Sequence, residues 1–144
     1  MLVDVNLLIY AHDTDAPNHR AARDWWDEQL NGVQRIGLPW PTLLAFQRIM
    51  TNPRLFRSPM SPAESWGHIA RWLSLPNVWI PMATGEHATV LGSLIDATQA
   101  TGNLISDAHL AAVAIEHGQT LYSTDTDFAK FPGLRWINPL GTHR

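Results

Sequence analysis

The chain has 144 residues, a length that suits one domain with an ordinary hydrophobic core, and its lack of cysteine excludes disulfide bracing and any thiolate metal site. Its net charge of -3 gives no whole-molecule attraction to a polyanion, so a nucleic acid would have to be held by a local basic patch or through bound cations. The opening MLVDVNLLIY has no basic stretch ahead of an apolar run and nothing of membrane-spanning length, so the expectation is a single domain over residues 1–144, with no leader and no membrane span, in a cytoplasmic setting.

LVDV is a short apolar run closed by a carboxylate, as a buried strand would be, and NLLIYAH continues as a helical turn or two. Asp13, Asp15, Pro17 and Asn18 supply a turn before HRAARDWWDEQL, a helix with mixed charges that Asn31 and Gly32 stop. VQRIGL is the second strand, and WPTLLAFQRIMTN a helix ended by Pro53. Ser61, Pro62 and Glu64 have the spacing of a capping box and start the helix through ESWGHIARWLSL. NVWIP reads as a strand and GEHATVLGSLIDATQA as a helix closed by Thr101, Gly102 and Asn103. The Ala-rich LISDAHLAAVAIEHG is a helix closed by Gly118, followed by the strands QTLYSTD and LRWINP.

Strands separated by helices predict an α/β fold, a three-layer α/β/α sandwich around a central parallel sheet. Ligands of such sheets sit beyond the carboxyl ends of the strands, where the strand order switches. Asp4 ends the first strand, Asp125 and Asp127 lie just past the YST strand, and Asp107 falls near the amino end of the helix that opens with SDAHLAA. The rule therefore requires the first strand and the YST strand to be neighbours in the middle of the sheet.

If these four carboxylates face one cavity, they repel, and without protons they need a cation; all-oxygen donors select magnesium or manganese over zinc. Each also has a purely structural reading: Asp4 as a helix cap, Asp107 as a favourable charge near a helix amino end, Asp125 and Asp127 as an Asx turn. Glu116, nine residues after Asp107 and on the opposite side of the same helix, reads as a surface or helix-end residue. No two histidines have the spacing of a helix-borne metal pair, and there is no nucleophile elbow of the GxSxG kind. Trp66 and Trp72 have near-core spacing on one helix.

MLVDVNLLIYA, LLAFQRIMTNPRLF, NLISDAHLAAVAIEHG and LYSTDTDFAKFPGLRWINPL, which together span nearly the whole chain, resemble the PIN-domain ribonucleases and more narrowly the VapC toxins of bacterial toxin-antitoxin systems of type II. The resemblance implies Asp4, Asp107 and Asp125 as metal ligands with Asp127 as a further acid, a homodimer, and inhibition by a VapB-type antitoxin that reaches across the site. It implies an endoribonuclease that uses magnesium, or manganese, to activate water against a structured RNA, tRNA or ribosomal RNA. One departure stands out. Where the family commonly has a glutamate before the aromatic residue of the middle helix, this chain has Ala45, and no acid occurs between Glu28 and Glu64.

Asn6 and Thr124 are candidates to orient the carboxylates or, equally, local caps, and Arg48, Arg54 and Arg57 are candidates to grip an RNA backbone or a solvated helix end and loop; nine of the ten basic residues are arginine, whose planar fork suits phosphate. The missing glutamate keeps a second expectation open: a catalytically weak or inactive PIN module that binds RNA, or an antitoxin arginine, without cleavage. A phosphoacceptor receiver would need a lysine at a late strand end, and Lys130 lies beyond the acidic pair.

Overall fold

The computed structural model describes residues 1–141; the last three residues of the expected domain span lie outside it. The strands are β1 (Leu2–Val3), β2 (Ile36–Gly37), β3 (Val78–Trp79), β4 (Leu121–Tyr122) and β5 (Trp136–Ile137). The helices are α1 (Val5–His12), α2 (His19–Leu30), α3 (Trp40–Met50), α4 (Pro62–Leu73), α5 (His87–Thr98) and α6 (Asn103–Glu116), and a short 3-10 turn covers Thr126–Lys130. All five strands run parallel in the order β3-β2-β1-β4-β5. The chain winds outward from β1 in both directions, so β1 and β4 are the central neighbours that the strand-end rule requires.

Alternation along β1 divides the core. Val3 packs with residues of α1 to α4, among them Leu7, Trp26, Phe46 and Trp72, while Leu2 packs on the other face with Leu110, Val113 and Phe128. The sheet is thus sandwiched between α1–α4 and α5–α6. Trp72 is fully buried against Phe46, with ring centroids 4.9 Å apart, and against Trp26 at 5.5 Å, both edge-on as ring quadrupoles prefer. Trp66, placed by spacing in the same core, is instead 46% exposed. Gly37 packs tightly in the sheet: a Cβ there would lie 3.0 Å from Leu2 Cδ1 and 3.1 Å from Pro81 Cγ, so any larger residue must push these side chains aside.

Most elements occur where the sequence predicts them, and the differences lie at their ends. In VQRIGL only Ile36 and Gly37 are strand, and Val33 is 98% exposed. The Asn77 side-chain amide holds the chain ahead of the strand, reaching the carbonyls of Gln29, Gly32 and Gln34 at 3.3–3.4 Å. α5 ends on Gln99, which takes the left-handed conformation (φ 52°), so Asn103 opens α6 and does not close α5. Gly102, at φ 57° and ψ -133°, occupies a backbone region that side-chain-bearing residues avoid. The Ser61 cap forms as its spacing predicts, accepting from Glu64 N at 3.0 Å. Among the described residues, no helix is long and apolar enough to cross a membrane.

Candidate functional site

Asp4 follows β1 directly and serves as the N-cap of α1, its Oδ1 accepting from Val5 N at 2.8 Å. Its other oxygen is held across the sheet. The register Leu2 with Leu121 and Val3 with Tyr122 carries Asp4 opposite Ser123, whose Oγ donates to Asp4 Oδ2 at 2.7 Å. Ser123 is fully buried and also accepts from Asn6 Nδ2 at 3.2 Å and from Asp125 N at 3.0 Å. One hydroxyl therefore ties the ends of β1 and β4, the start of α1 and the acidic loop together.

Asp125 caps the 3-10 turn, its Oδ1 accepting from Asp127 N at 2.9 Å, which is the Asx arrangement foreseen as the structural reading. Asp127 Oδ1 pairs with Lys130 Nζ at 3.0 Å, with both side chains about half exposed. Asp107 lies in the second turn of α6, because the helix begins at Asn103, so it gains little from the first-turn amides that SDAHLAA suggested. From there its carboxylate meets the others: one oxygen each of Asp107, Asp125 and Asp127 lie within 4.8 Å of one another. Asp4 is not one of this trio; it is held by its bonds to Ser123 and Val5, and shares with Asp107 the wall of a cleft of about 330 Å³.

The electrostatics follow from that crowding. Burial pushes the Asp107 pKa up to about 6, and the neighbouring Asp4, Asp125 and Asp127 add to the shift. Burial also raises Asp4, against the hydrogen bonds from Ser123 and Val5, which favour its ionised form; Asp125 raises it further. Half-buried carboxylates that repel each other, with only oxygen donors, fit a hard divalent cation.

Of the three candidate arginines, only Arg48 lines the acid cleft; Ala45 lines it too, leaving an apolar wall where a glutamate would add charge. Arg57 lines a separate cavity of about 340 Å³ at the end of α1, with His12, Asp13 and Glu64, and Arg54 is exposed in the loop after α3. Asn6 reaches the acids through Ser123, whereas Thr124 makes no side-chain hydrogen bond among the described residues. Ser123 is the residue that reading the sequence missed. It is adjacent to Thr124, but only the strand register distinguishes them, by setting Ser123 beside Asp4.

Glu116 ends α6, as the helix-end reading expected, but it is not a surface residue, because its side chain is only 1% exposed. It accepts from Thr84 N at 2.9 Å, Thr84 Oγ1 at 2.8 Å and His87 Nδ1 at 2.6 Å. Burial works to raise its pKa, but these donors outweigh it and hold the carboxylate below its ordinary value. His87 Nε2 in turn meets His109 Nδ1 at 2.9 Å. The pair is invisible to a search within one helix, because its members lie on α5 and α6.

An α/β/α sandwich with an acid cluster at its central strand ends has known relatives. The PIN domain model matches residues 1–134. Ribonuclease VapC33 of Mycobacterium tuberculosis is 40% identical over 140 residues, which are 97% of this chain and 98% of the relative. Ribonuclease VapC37 of the same organism is 38% identical over 138 residues, 96% of each chain. VapBC2 from Rickettsia felis, solved bound to a DNA fragment from its promoter, shares the fold with a TM-score of 0.67 at 18% identity, covering 95% of this chain and 96% of that one. The chain belongs to the PIN-domain family, and within it to the VapC ribonucleases.

Proposed function

We propose that this single-domain chain is the toxin of a type II toxin-antitoxin pair and an endoribonuclease dependent on a divalent cation. The observation that carries the reading is the meeting of Asp107, Asp125 and Asp127, from two separate stretches of chain, beside Asp4 at the β1–β4 switch. Asp4, Asp107, Asp125 and Asp127 would hold the ion, with magnesium as the physiological choice and manganese as a substitute. The cation would supply Lewis acidity, making water a nucleophile near neutral pH and offsetting charge on the phosphoryl oxygens.

The protein's own groups do the rest. Ser123 and the Val5 N–H fix the rotamer of Asp4, so that the ligand set is organised before the ion arrives. Arg48 places a guanidinium on the cleft wall, where it meets a backbone phosphate of the RNA. Arg54 and Arg57 lie farther along α3 and its following loop, suited to a longer backbone. Attack by water yields a 5′-phosphate and a 3′-hydroxyl. The substrate is a structured RNA, tRNA or ribosomal RNA by family analogy, and the partners are a second copy of the chain and a VapB-type antitoxin. We place the protein in the cytoplasm, where such RNAs are.

The test is cleavage of total cellular RNA with 5′-end mapping. Asp4→Asn and Asp107→Asn should each abolish cuts that the unchanged chain makes with magnesium, as should EDTA; cutting undiminished by chelation refutes the cation mechanism. Ala45 favours a second reading, a module that binds RNA or an antitoxin arginine without cleaving. Growth arrest by the Asp4→Asn variant at the same dose as the unchanged chain would select it.

A further inference from the structure

The Glu116–His87–His109 chain plays no part in the acid cleft, yet it ends beside another recess. A cavity of about 130 Å³ lies at the carboxyl ends of β2 and β3, lined by Pro39, Trp40, Pro41, Pro81, Val113 and His109 among others. Pro41 lines both this cavity and the acid cleft, so the two are neighbours across the first turn of α3. Apart from the Trp40 indole N–H, His109 gives the recess its only polar side chain.

The orientation of His109 is set from inside the protein. The buried carboxylate of Glu116 can only accept, so His87 Nδ1 carries the hydrogen of their 2.6 Å contact. If His87 is neutral, its Nε2 accepts from His109 Nδ1–H and leaves a lone pair on His109 Nε2. If His87 is charged, the bond reverses and His109 Nε2–H becomes a donor. In both arrangements the ring is fixed by the 2.9 Å bond at Nδ1, and Nε2 makes no hydrogen bond among the described residues. His109 is partly buried, lines the recess, and keeps this one ring nitrogen free among the described residues.

We propose that this recess is a base-recognition subsite, in which one unpaired nucleobase of the RNA stacks on Trp40 and hydrogen-bonds to His109 Nε2. The identity of the ligand rests on the ribonuclease reading. Three observations select this occupant. The recess has room for one flat ring system, and its lining combines an aromatic side chain, Trp40, which is 37% exposed, with the imidazole of His109, the pairing by which unpaired bases are read. It also adjoins, across Pro41, the cleft where Asp4, Asp107 and Arg48 would meet the phosphate attached to that nucleotide.

The test separates this inference from the nuclease reading by using EDTA, in which no cleavage is needed. The full chain, labelled with nitrogen-15, is titrated with AMP, CMP, GMP and UMP in turn while the Trp40 indole and His109 ring resonances are followed. At least one nucleotide should shift both saturably; His109→Phe should weaken that binding about tenfold and Trp40→Ala abolish it, while His109→Gln, which keeps a hydrogen-bonding group, should weaken it less. In the cleavage assay, an abasic ribose at one substrate position should lower kcat/KM for the unchanged chain and leave His109→Phe unaffected. The subsite is overturned if no nucleotide moves these resonances at concentrations up to about 10 mM, or if His109→Phe binds as well as the unchanged chain. It is equally overturned if the resonances shift with protein concentration alone, which assigns the recess to a second copy.

Discussion

Replacing Asp107 by asparagine should make the cation-free protein more stable while removing its activity. Asp107 is raised from an ordinary 3.8 to about 6, by burial first and then by Asp4, Asp125 and Asp127. Roughly 2 pKa units correspond to about 3 kcal/mol against the ionised form as a ceiling. The carboxylate is only half-buried, so solvent screening brings this to about 1 kcal/mol, or roughly 3 °C in Tm for a chain of this size. The folded pKa is the raised one, so the native state binds more protons than the unfolded chain between about 3.8 and 6, and its stability falls as pH rises through that window. The advantage of Asp107→Asn should therefore be full above about pH 6 and vanish below about 4. Calorimetric unfolding in EDTA at pH 5 and pH 7.5, repeated with magnesium, reads all of this. Magnesium should raise the Tm of the unchanged chain and leave the variant nearly unmoved. An asparagine variant less stable than the parent in EDTA at pH 7.5, or equal stabilisation of both by magnesium, would refute the picture of carboxylates held in mutual repulsion.

The other expectations concern the supports of the site. Ala45→Glu adds a charge to the cleft wall and should tighten magnesium about tenfold by isothermal titration while lowering Tm in EDTA. Ser123→Ala leaves Asp4 Oδ2, Asn6 Nδ2 and Asp125 N without their shared partner; denaturant unfolding should show a loss of about 1–3 kcal/mol, and magnesium affinity should fall with it. Glu116→Gln weakens the bond to His87 inside a buried network and should cost about 1–3 kcal/mol at pH 7. The Glu116 pKa is depressed, so that stability is present above the ordinary 4.5 and is lost as pH falls; the variant and its parent should converge in acid.

The α/β alternation, the parallel sheet and the position of nearly every helix follow from apolar periodicity and from turn and cap residues, because those signals act within a few neighbours along the chain. Asp4, Asp107, Asp125 and Asp127 could be selected as candidates for the same reason: the strand-end rule turns local strand assignments into a location. What periodicity leaves open is the pairing of strands. Only the parallel register of β1 with β4 sets Ser123 opposite Asp4, and so gives it the hydrogen bonds that its neighbour Thr124 lacks. The same limit applies to the helices. Glu116 and the histidines look scattered in the sequence, yet packing of α5 on α6 brings His87 and His109 within 2.9 Å and buries the carboxylate behind them. Local chemistry along the chain determined the elements and the acids that end them. The tertiary structure decided which of those groups meet in one acid cluster or one hydrogen-bond chain, because such interactions depend on distances of a few ångströms between residues separated by tens to more than a hundred positions.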